Sequence, residues 1–178
     1  MRLLAISGSL RAASSNTAVV QAVARLAPAA VMIELYQQLG ELPHFNPDFD
    51  NERLPPIVAE FRALIGAVDG VLISSPEYAR GVPGTLKNAL DWLVGSFEFP
   101  NKFVALINVS PRATHAQASL TTTLETMSAR IVADGCVTLP LLGTTLGAGE
   151  IVANAELAEP LRRALAAFVR TIEADAGR

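Results

Sequence analysis

Residues 3–26 have the sequence LLAISGSLRAASSNTAVVQAVARL, in which a short apolar run, a polar loop and an amphipathic stretch follow one another. The apolar run over residues 3–6 predicts a buried strand. Apolar side chains then recur at helical spacing over residues 17–26, which predicts a helix. A buried strand that passes through a polar loop into a helix is the start of a βαβ unit, and such units indicate a parallel sheet.

Four more apolar runs continue this alternation and predict strands at residues 31–36, 71–75, 103–109 and 136–142. Near-continuous apolar runs are typical of parallel strands that are covered by helices on both sides. Pro140 lies in the last run and cannot donate a ladder hydrogen bond, so we expect that strand at an edge of the sheet.

Four more helices are predicted from apolar residues at helical spacing. Their apolar faces consist of Ile57, Phe61, Leu64 and Ile65; Leu86, Leu90 and Leu93; Leu120, Leu124, Met127 and Ile131; and Leu157, Leu161, Leu165, Phe168 and Ile172. Pro83 is expected in the first turn of the third helix, where its missing N–H costs no hydrogen bond.

Five strands that alternate with five helices predict a single α/β domain over residues 1–178. The expected fold is flavodoxin-like, a doubly wound five-stranded parallel sheet of order 2-1-3-4-5 with helices on both faces and right-handed crossovers. In such a sheet, ligands bind beyond the carboxyl ends of the strands. We therefore examine the loops that leave those ends.

The composition of the 178-residue chain limits the class of protein. Apolar residues make up 51% and charged residues 17%, which excludes a disordered chain. The net charge is −3 and no basic patch is visible, so nucleic acid is not expected as a partner.

The apolar runs are too short to span a bilayer and no signal-peptide pattern precedes the first strand, so we expect a cytoplasmic protein without a membrane partner. Cys136 is the single cysteine, which excludes an internal disulfide.

The loop GSLRAASSN, residues 8–16, is rich in hydrogen-bond donors and runs into the first predicted helix. A helix N-terminus offers free N–H groups and the positive end of the helix dipole, and the planar cation of Arg11 suits a phosphate. The polar side chains at this place are Ser9, Arg11, Ser14, Ser15, Asn16 and Thr17. Together they predict a phosphate cradle.

Two better-known phosphate loops are excluded here. The loop has no Lys-Ser or Lys-Thr pair, which a Walker loop requires, and Gly8 is its only glycine, whereas a dinucleotide loop requires G-x-G-x-x-G. A second interpretation stays open, in which Ser14 or Ser15 only caps the helix and Arg11 is a solvated charge.

The segment SSPEYARGVPGTLKNALDW, residues 74–92, leaves the third strand at the same edge of the sheet. Its loop places an aromatic residue, Tyr78, at that edge, and the backbone amides of residues 77–79 are available to a ligand with a polar ring edge. The alternative is a structural turn in which Tyr78 packs on its own domain. We assign Trp92, on the following helix, to the core or to a subunit interface.

Together these two loops resemble the NADPH-dependent FMN reductase family, flavodoxin-like proteins that include chromate, quinone and azo reductases. The first match is G-S-L-R-x-x-S-x-N at residues 8–16. The second is S-P-E-Y at residues 75–78, followed by P-G-x-L-K-N-A-x-D-W at residues 83–92. The segment LPHFNPD, residues 42–48, is also similar to the family, and the β/α order matches over nearly the whole chain.

The resemblance implies that the chain binds FMN. The residues that would hold its phosphate are Ser9, Arg11, Ser14, Asn16 and Thr17, and those along its ring are Pro76, Glu77 and Tyr78. Ser110, after the fourth strand, would also face the ring.

Two departures from the family pattern matter. Asparagine often follows P-E-Y in the family, whereas this chain has Ala79, which removes any side-chain amide contact to the flavin. The loop after the fourth strand is often rich in glycine, whereas here it is NVSPRATHAQ, residues 108–117. In this loop, Arg112 and His115 are expected to narrow the pocket and to affect which acceptor fits.

The resemblance further implies an oxidoreductase in which hydride passes from NADPH or NADH to bound FMN and then to a small-molecule acceptor. Candidate acceptors are quinones, azo compounds, chromate and free flavin. The cofactor carries this chemistry, so no catalytic side chain is assigned. Two alternatives stay open: an FMN-binding electron-transfer protein without an NAD(P)H site, and a flavin-free scaffold or regulator. The family also implies a homodimer or homotetramer, because its subunits commonly pair through the helix after P-E-Y.

The remaining polar residues have no assigned chemistry. His44 and His115 are the two histidines, and each is expected in a loop or at a helix start rather than as a base. Asp48, Asp50 and Glu52 are expected to form a solvated surface rather than a metal site, so no metal is predicted.

Overall fold

A computed structural model describes residues 1–177, and Arg178, the last residue of the predicted domain, lies outside them. The strands are β1 (Arg2–Ser7), β2 (Met32–Tyr36), β3 (Gly70–Ser74), β4 (Phe103–Asn108), β5 (Arg130–Ile131) and β6 (Val137–Thr138). The α-helices are α1 (Ser15–Leu26), α2 (Pro56–Ala67), α3 (Gly84–Val94), α4 (Thr114–Thr126), α5 (Ala148–Ala153) and α6 (Ala155–Ala176). Two 3₁₀ turns lie at Pro47–Phe49 and Ala133–Gly135.

The strands form one parallel sheet of order β2-β1-β3-β4-β5, in which β6 also pairs with β4. Successive side chains of β1 point to opposite faces of this sheet. Leu3 belongs to a core cluster with residues of α1 and α6, whereas Leu4 belongs to a cluster with residues of α2, α3 and α4. The predicted flavodoxin-like order, with helices on both faces, is therefore confirmed.

The last part of the sheet differs from the prediction of one strand over residues 136–142. Two short strands share the edge position: β5 pairs with the start of β4, and β6 pairs with its end. A 3₁₀ turn separates them, and Phe168 packs so closely on Gly135 of this turn that an added Cβ would lie 3.0 Å from the Cβ of Phe168. These last strands lie at an edge of the sheet, as predicted, whereas Pro140 follows β6 and lies outside it.

The fourth helix is shorter than predicted and does not include Ile131, which lies in β5. It ends because Ser128 adopts a left-handed conformation with φ of 62°. The N–H of Ala129 then donates to the carbonyl of Leu124 at 2.9 Å, as in a Schellman motif. The next residues are free to turn back to the sheet.

Two smaller differences concern the other helices. The short helix α5 precedes the predicted fifth helix, and α3 begins at Gly84, so Pro83 occupies the cap position rather than the first turn.

Trp92 is fully buried in the core, where its indole N–H donates to the carbonyl of Pro43 at 2.7 Å. Over residues 1–177, no helix is both long and apolar enough to cross a membrane.

Candidate functional site

A cleft of about 710 Å³ opens at the carboxyl edge of the sheet, and its volume lies within the range of small-molecule sites. It is lined by the loops that follow β1, β3, β4 and β6. All nine residues selected from the sequence line it: Ser9, Arg11, Ser14, Asn16, Thr17, Pro76, Glu77, Tyr78 and Ser110. The topology alone accounts for this, because the carboxyl ends of parallel strands meet at one edge.

The first loop leaves β1 through Gly8, whose N–H donates to the carbonyl of Ser74 at 2.8 Å. A Cβ at this position would lie 3.1 Å from a methyl carbon of Leu86 and 3.2 Å from the hydroxyl oxygen of Ser75. The absence of a side chain therefore lets the first and second loops approach closely beneath the cleft.

The hydroxyl groups of the first loop stabilise its turn into α1. The hydroxyl oxygens of Ser7 and Thr17 are 2.9 Å apart, and that of Ser9 accepts the N–H of Arg11 at 3.3 Å. The Ser14 hydroxyl accepts the N–H of Thr17 at 3.4 Å and so caps α1. Ser14 therefore caps α1, and its hydroxyl proton remains available as a donor.

Several donors at the start of α1 remain without an acceptor in the described part of the chain. Asn16 is 5% exposed, and its side-chain oxygen accepts a hydrogen bond from the Ser74 hydroxyl at 2.9 Å. Its NH₂ group has no such partner, nor do the backbone N–H groups of Ser15 and Asn16. The guanidinium of Arg11 is exposed and makes no ion pair with residues 1–177. These unpaired donors lie at a helix N-terminus, which is the arrangement of an anion site.

The second loop forms a two-residue hairpin. The N–H of Tyr78 donates to the carbonyl of Gly81 at 3.1 Å, and the N–H of Gly81 donates back at 2.9 Å. Ala79 and Arg80 between them have φ values of 50° and 60°, as a type I′ turn requires. The hairpin engages the N–H of Tyr78, so this amide is not available to a ligand, contrary to the prediction. Half of the Tyr78 surface stays exposed.

The carboxylate of Glu77 contacts the start of α4. Its Oε2 accepts the backbone N–H of Ala116, in the first turn of α4, at 2.9 Å. The side chain of Glu77, which lines the cleft, is therefore already hydrogen-bonded within the protein.

The third loop is also held by local hydrogen bonds. The N–H of Ser110 donates to the side-chain oxygen of Asn108 at 3.0 Å, and the Ser110 hydroxyl accepts the N–H of Arg112 at 3.2 Å. Arg112 lines the cleft and is exposed. His115 and His44 are exposed and lie outside the cleft lining.

A fourth wall, residues 142–148, was not predicted from the sequence. It contains the exposed side chain of Leu142 and the left-handed Gly143, with φ of 80°. Its sequence, LGTTLGA, follows the last strand and is rich in glycine and threonine. That composition, at the carboxyl end of a strand, was the available signal.

The shifted pKa values belong to residues outside the cleft lining. Burial, together with the nearby carboxylates of Glu41 and Glu60, raises the pKa of Tyr36 to about 12. Burial also raises the pKa of the Cys136 thiol. Within residues 1–177, no group of three or more His, Cys, Asp or Glu side chains is placed to hold a metal ion.

Parts of this chain are similar in sequence to known proteins. It is 40% identical over 113 residues to a quinone reductase of Pseudomonas putida, a match that covers 61% of this chain and 59% of the relative. It is 39% identical over 92 residues to the 2-hydroxy-1,4-benzoquinone reductase of a Burkholderia species, covering 52% and 49%. The chain thus spans about half the length of the curated relatives it matches.

Solved structures share its fold. FerB, a flavoenzyme NAD(P)H:(acceptor) oxidoreductase from Paracoccus denitrificans, has a TM-score of 0.77 and 28% identity over 97% of both chains. An apo NADH:FMN oxidoreductase, EMOB, has a TM-score of 0.65 and 21% identity over 94% of this chain and 87% of its own, which shows the same fold. The sequence model of NADPH-dependent FMN reductases matches residues 1–141. With most of its length covered by that match, the chain belongs to the NADPH-dependent FMN reductase family.

Proposed function

We propose that this chain binds FMN in the cleft and reduces small quinones with NADPH or NADH. The observation that carries this proposal is the group of unpaired donors at the start of α1, opposite a loop with a half-exposed tyrosine. The relatives named quinone reductase and the flavoenzyme FerB support the same reaction.

The donors fit the phosphate of FMN. A phosphate dianion accepts several hydrogen bonds at once and is stabilised at the positive end of a helix dipole. Arg11, Ser14 and Asn16 offer a cation, a hydroxyl and an amide, and the free N–H groups of α1 add to them. Ser9 and Thr17 hold this loop in place through their hydroxyl groups.

The other end of the cleft fits a flat ring. Pro76, Tyr78 and Leu142 give it an apolar and aromatic wall, and Ser110 gives it a polar group. A micromolar dissociation constant needs about 8 kcal/mol, while association itself costs at least ~4 kcal/mol. Charge-assisted hydrogen bonds contribute roughly 1.5–3 kcal/mol each, and burial of ~200 Å² of ring contributes about 5 kcal/mol. Both ends of the cleft are therefore needed.

Bound FMN would supply the hydride chemistry, which leaves the side chains of the cleft with binding and orientation. The first loop holds the anionic end, and the second and third loops shape the place of the ring. Arg112 is exposed at the cleft and is available to an anionic group of a second ligand. Azo compounds, chromate and free flavin are further candidate acceptors, and the proposed location is the cytoplasm.

A homodimer is proposed as the working assembly, with a homotetramer as the larger alternative. Leu86, Leu90, Trp92 and Leu93 are buried in the protomer's own core, so they are not available to a partner. Val94, the last residue of α3, and Phe97, three residues beyond it, are 64% and 98% exposed. These apolar side chains support an interface at that end of α3, which light scattering of wild type and Phe97→Glu tests.

A comparison of FMN with riboflavin tests the proposed function. We expect FMN to bind with a micromolar or lower dissociation constant, and riboflavin at least about 100-fold more weakly, because it lacks the phosphate. The FMN-loaded protein should then oxidise NADPH or NADH steadily in the presence of a benzoquinone. Equal affinities for the two flavins would contradict the phosphate site. Tight FMN binding without NAD(P)H oxidation would instead support an electron-transfer protein.

A further inference from the structure

The first turn of α4 lacks the features that usually stabilise a helix start. Ala113 occupies the cap position and makes no side-chain hydrogen bond, and the first turn contains no acidic residue. The helix sequence, THAQASLTTTLET, is rich in threonine, which has a low helix propensity. The acceptor and the negative charge that this helix start lacks can be supplied by a carboxylate from another part of the chain.

Glu77 of the second loop supplies both. Its Oε2 lies 2.9 Å from the backbone nitrogen of Ala116, although the two residues are 39 positions apart in the sequence. Ala116 is buried and Glu77 is half-buried, so the bond is partly shielded from water. A carboxylate at a helix N-terminus forms a charge-assisted hydrogen bond and also interacts with the helix dipole.

This bond connects two walls of the cleft. Glu77 lies between Pro76 and Tyr78, which line the cleft on one side, and α4 follows Ser110, which lines it on another. Among the described residues, it is the only hydrogen bond between the second loop and α4. The Tyr78 hairpin is otherwise closed on itself by its bonds to Gly81. The position of Tyr78 relative to Ser110 therefore depends on the carboxylate of Glu77.

The same bond fixes the position of a negative charge in the cleft wall. The charged side chains that line the cleft are Arg11, Glu77 and Arg112. Two arginines and one carboxylate give the cleft lining a net positive charge, which favours an anionic ligand. A Glu77 side chain released into the cleft would repel such a ligand.

We propose that Glu77 is a positioning residue, whose carboxylate holds the second loop against α4 and so fixes where the flavin ring lies. The inference rests on the proposed function, because it assigns Glu77 a role in placing FMN. It gives the glutamate of the P-E-Y segment a role in coupling two loops instead of a direct ligand contact.

Three substitutions of Glu77 test the inference. Glu77→Ala removes the acceptor, and we expect the FMN dissociation constant to rise about tenfold, with a shift of the visible absorption bands of the remaining bound flavin. Glu77→Gln keeps the length of the side chain and an oxygen that can accept the N–H of Ala116. It should therefore rescue most of the lost FMN affinity and restore the flavin spectrum. Glu77→Asp is one methylene shorter and leaves a free carboxylate in the cleft, so it should bind FMN at least as weakly as Glu77→Ala.

Asn154→Ala is the matched control. Asn154 caps α6 by accepting the N–H of Glu156 at 3.0 Å, and it does not line the cleft. Its loss should lower the melting temperature without a change in FMN affinity or spectrum.

The same result for Glu77→Ala would overturn the inference and make Glu77 a helix cap only. If Glu77→Ala does not fold, equal FMN affinities of Glu77→Gln and Glu77→Asp would overturn it. Wild-type protein that binds no FMN would contradict the proposed function as well, whereas the Glu77 results alone leave that function intact.

Discussion

The side-chain oxygen of Asn16 accepts a hydrogen bond from the Ser74 hydroxyl at 2.9 Å, and both side chains are buried. This bond joins the start of α1 to the end of β3, so the first and second loops leave the sheet from one fixed junction. It also determines the orientation of the Asn16 amide. Because the oxygen faces Ser74, the NH₂ group is the one left for a ligand.

Asn16→Asp should therefore weaken FMN binding, although the two side chains have nearly the same shape. The substitution keeps an acceptor for Ser74 but replaces the NH₂ donor by a carboxylate oxygen near the proposed phosphate. We expect the FMN dissociation constant to rise at least about tenfold, through the lost donor and the added repulsion, with a smaller effect on riboflavin. Fluorescence titration of both flavins measures this.

Asn101→Asp is the control for this charge change. Asn101 lies just before β4, at the amino ends of the strands, whereas the cleft lies at their carboxyl ends. Its φ of 65° suits both asparagine and aspartate. FMN affinity should be unchanged in this variant. If Asn16→Asp binds FMN as tightly as Asn101→Asp does, the amide of Asn16 does not contact the phosphate.

Arg11→Ala should weaken FMN binding by about tenfold or more, because a charge-assisted contact to the phosphate is lost. Arg162→Ala removes the same charge from the exposed face of α6, and His44→Ala alters an exposed loop residue outside the cleft lining. Both controls should stay within about twofold of wild type, as is usual for exposed positions without contacts. Equal FMN affinities of Arg11→Ala and the two controls would rule out the phosphate cradle.

The fold and most of the cleft could be predicted because they depend on patterns that are local in the sequence. Apolar runs such as residues 103–109 indicate buried parallel strands, and topology then brings the loops after them to one edge. The end of α4 could not be predicted, since serine at a left-handed position, as in Ser128, is atypical. The wall at residues 142–148 was missed because the expected strand ran to Leu142 and the loop has no charged residue.

The hydrogen bonds of the side chains in the cleft could not be predicted from the sequence either. Glu77 and Ala116 meet only because the second loop and α4 are neighbours in the folded chain. A motif can identify Glu77 as a residue of the site, but it does not show which atom its carboxylate contacts. The sequence therefore predicts residues in three of the four walls, and the structure shows what their side chains contact.

Ala79→Asn should stabilise the protein. Ala79 has φ of 50°, a conformation that costs an ordinary L-residue roughly 1–2 kcal/mol and that asparagine tolerates better. We expect the free energy of unfolding in urea to rise by about 0.5–1 kcal/mol. Ala27→Asn, at φ of −63°, should show no such gain. An equal effect of both substitutions would mean that the backbone of the Tyr78 hairpin is not strained.

Tyr36→Phe should also stabilise the protein, and more so at alkaline pH. Within residues 1–177 the buried Tyr36 hydroxyl has no hydrogen-bond partner, so its removal should add about 1 kcal/mol at pH 7. Burial, with Glu41 and Glu60 nearby, raises the pKa of Tyr36 from 10.0 to about 12. The folded state therefore favours the neutral phenol, and stability is lost as the pH rises from 10 towards 12.

The pH dependence provides the control for Tyr36. The difference in unfolding free energy between Tyr36→Phe and wild type should widen above pH 10, whereas Tyr78→Phe, at the exposed tyrosine, should follow wild type throughout. Denaturation at pH 7, 9, 10 and 11 measures both. A constant difference across this range would show that Tyr36 titrates in the folded protein as it does in the unfolded chain.

The most direct test of the central claim is the visible absorption spectrum of the protein after FMN addition and desalting, followed by anaerobic NADPH and, separately, NADH. We predict that flavin absorbance is retained and that it bleaches with at least one of the two nucleotides. Retained absorbance that neither nucleotide bleaches would contradict the reductase and leave an electron carrier. No retained flavin, with a titration that shows no binding, would contradict the FMN site itself and leave the serines and Arg11 as the start of a capped helix.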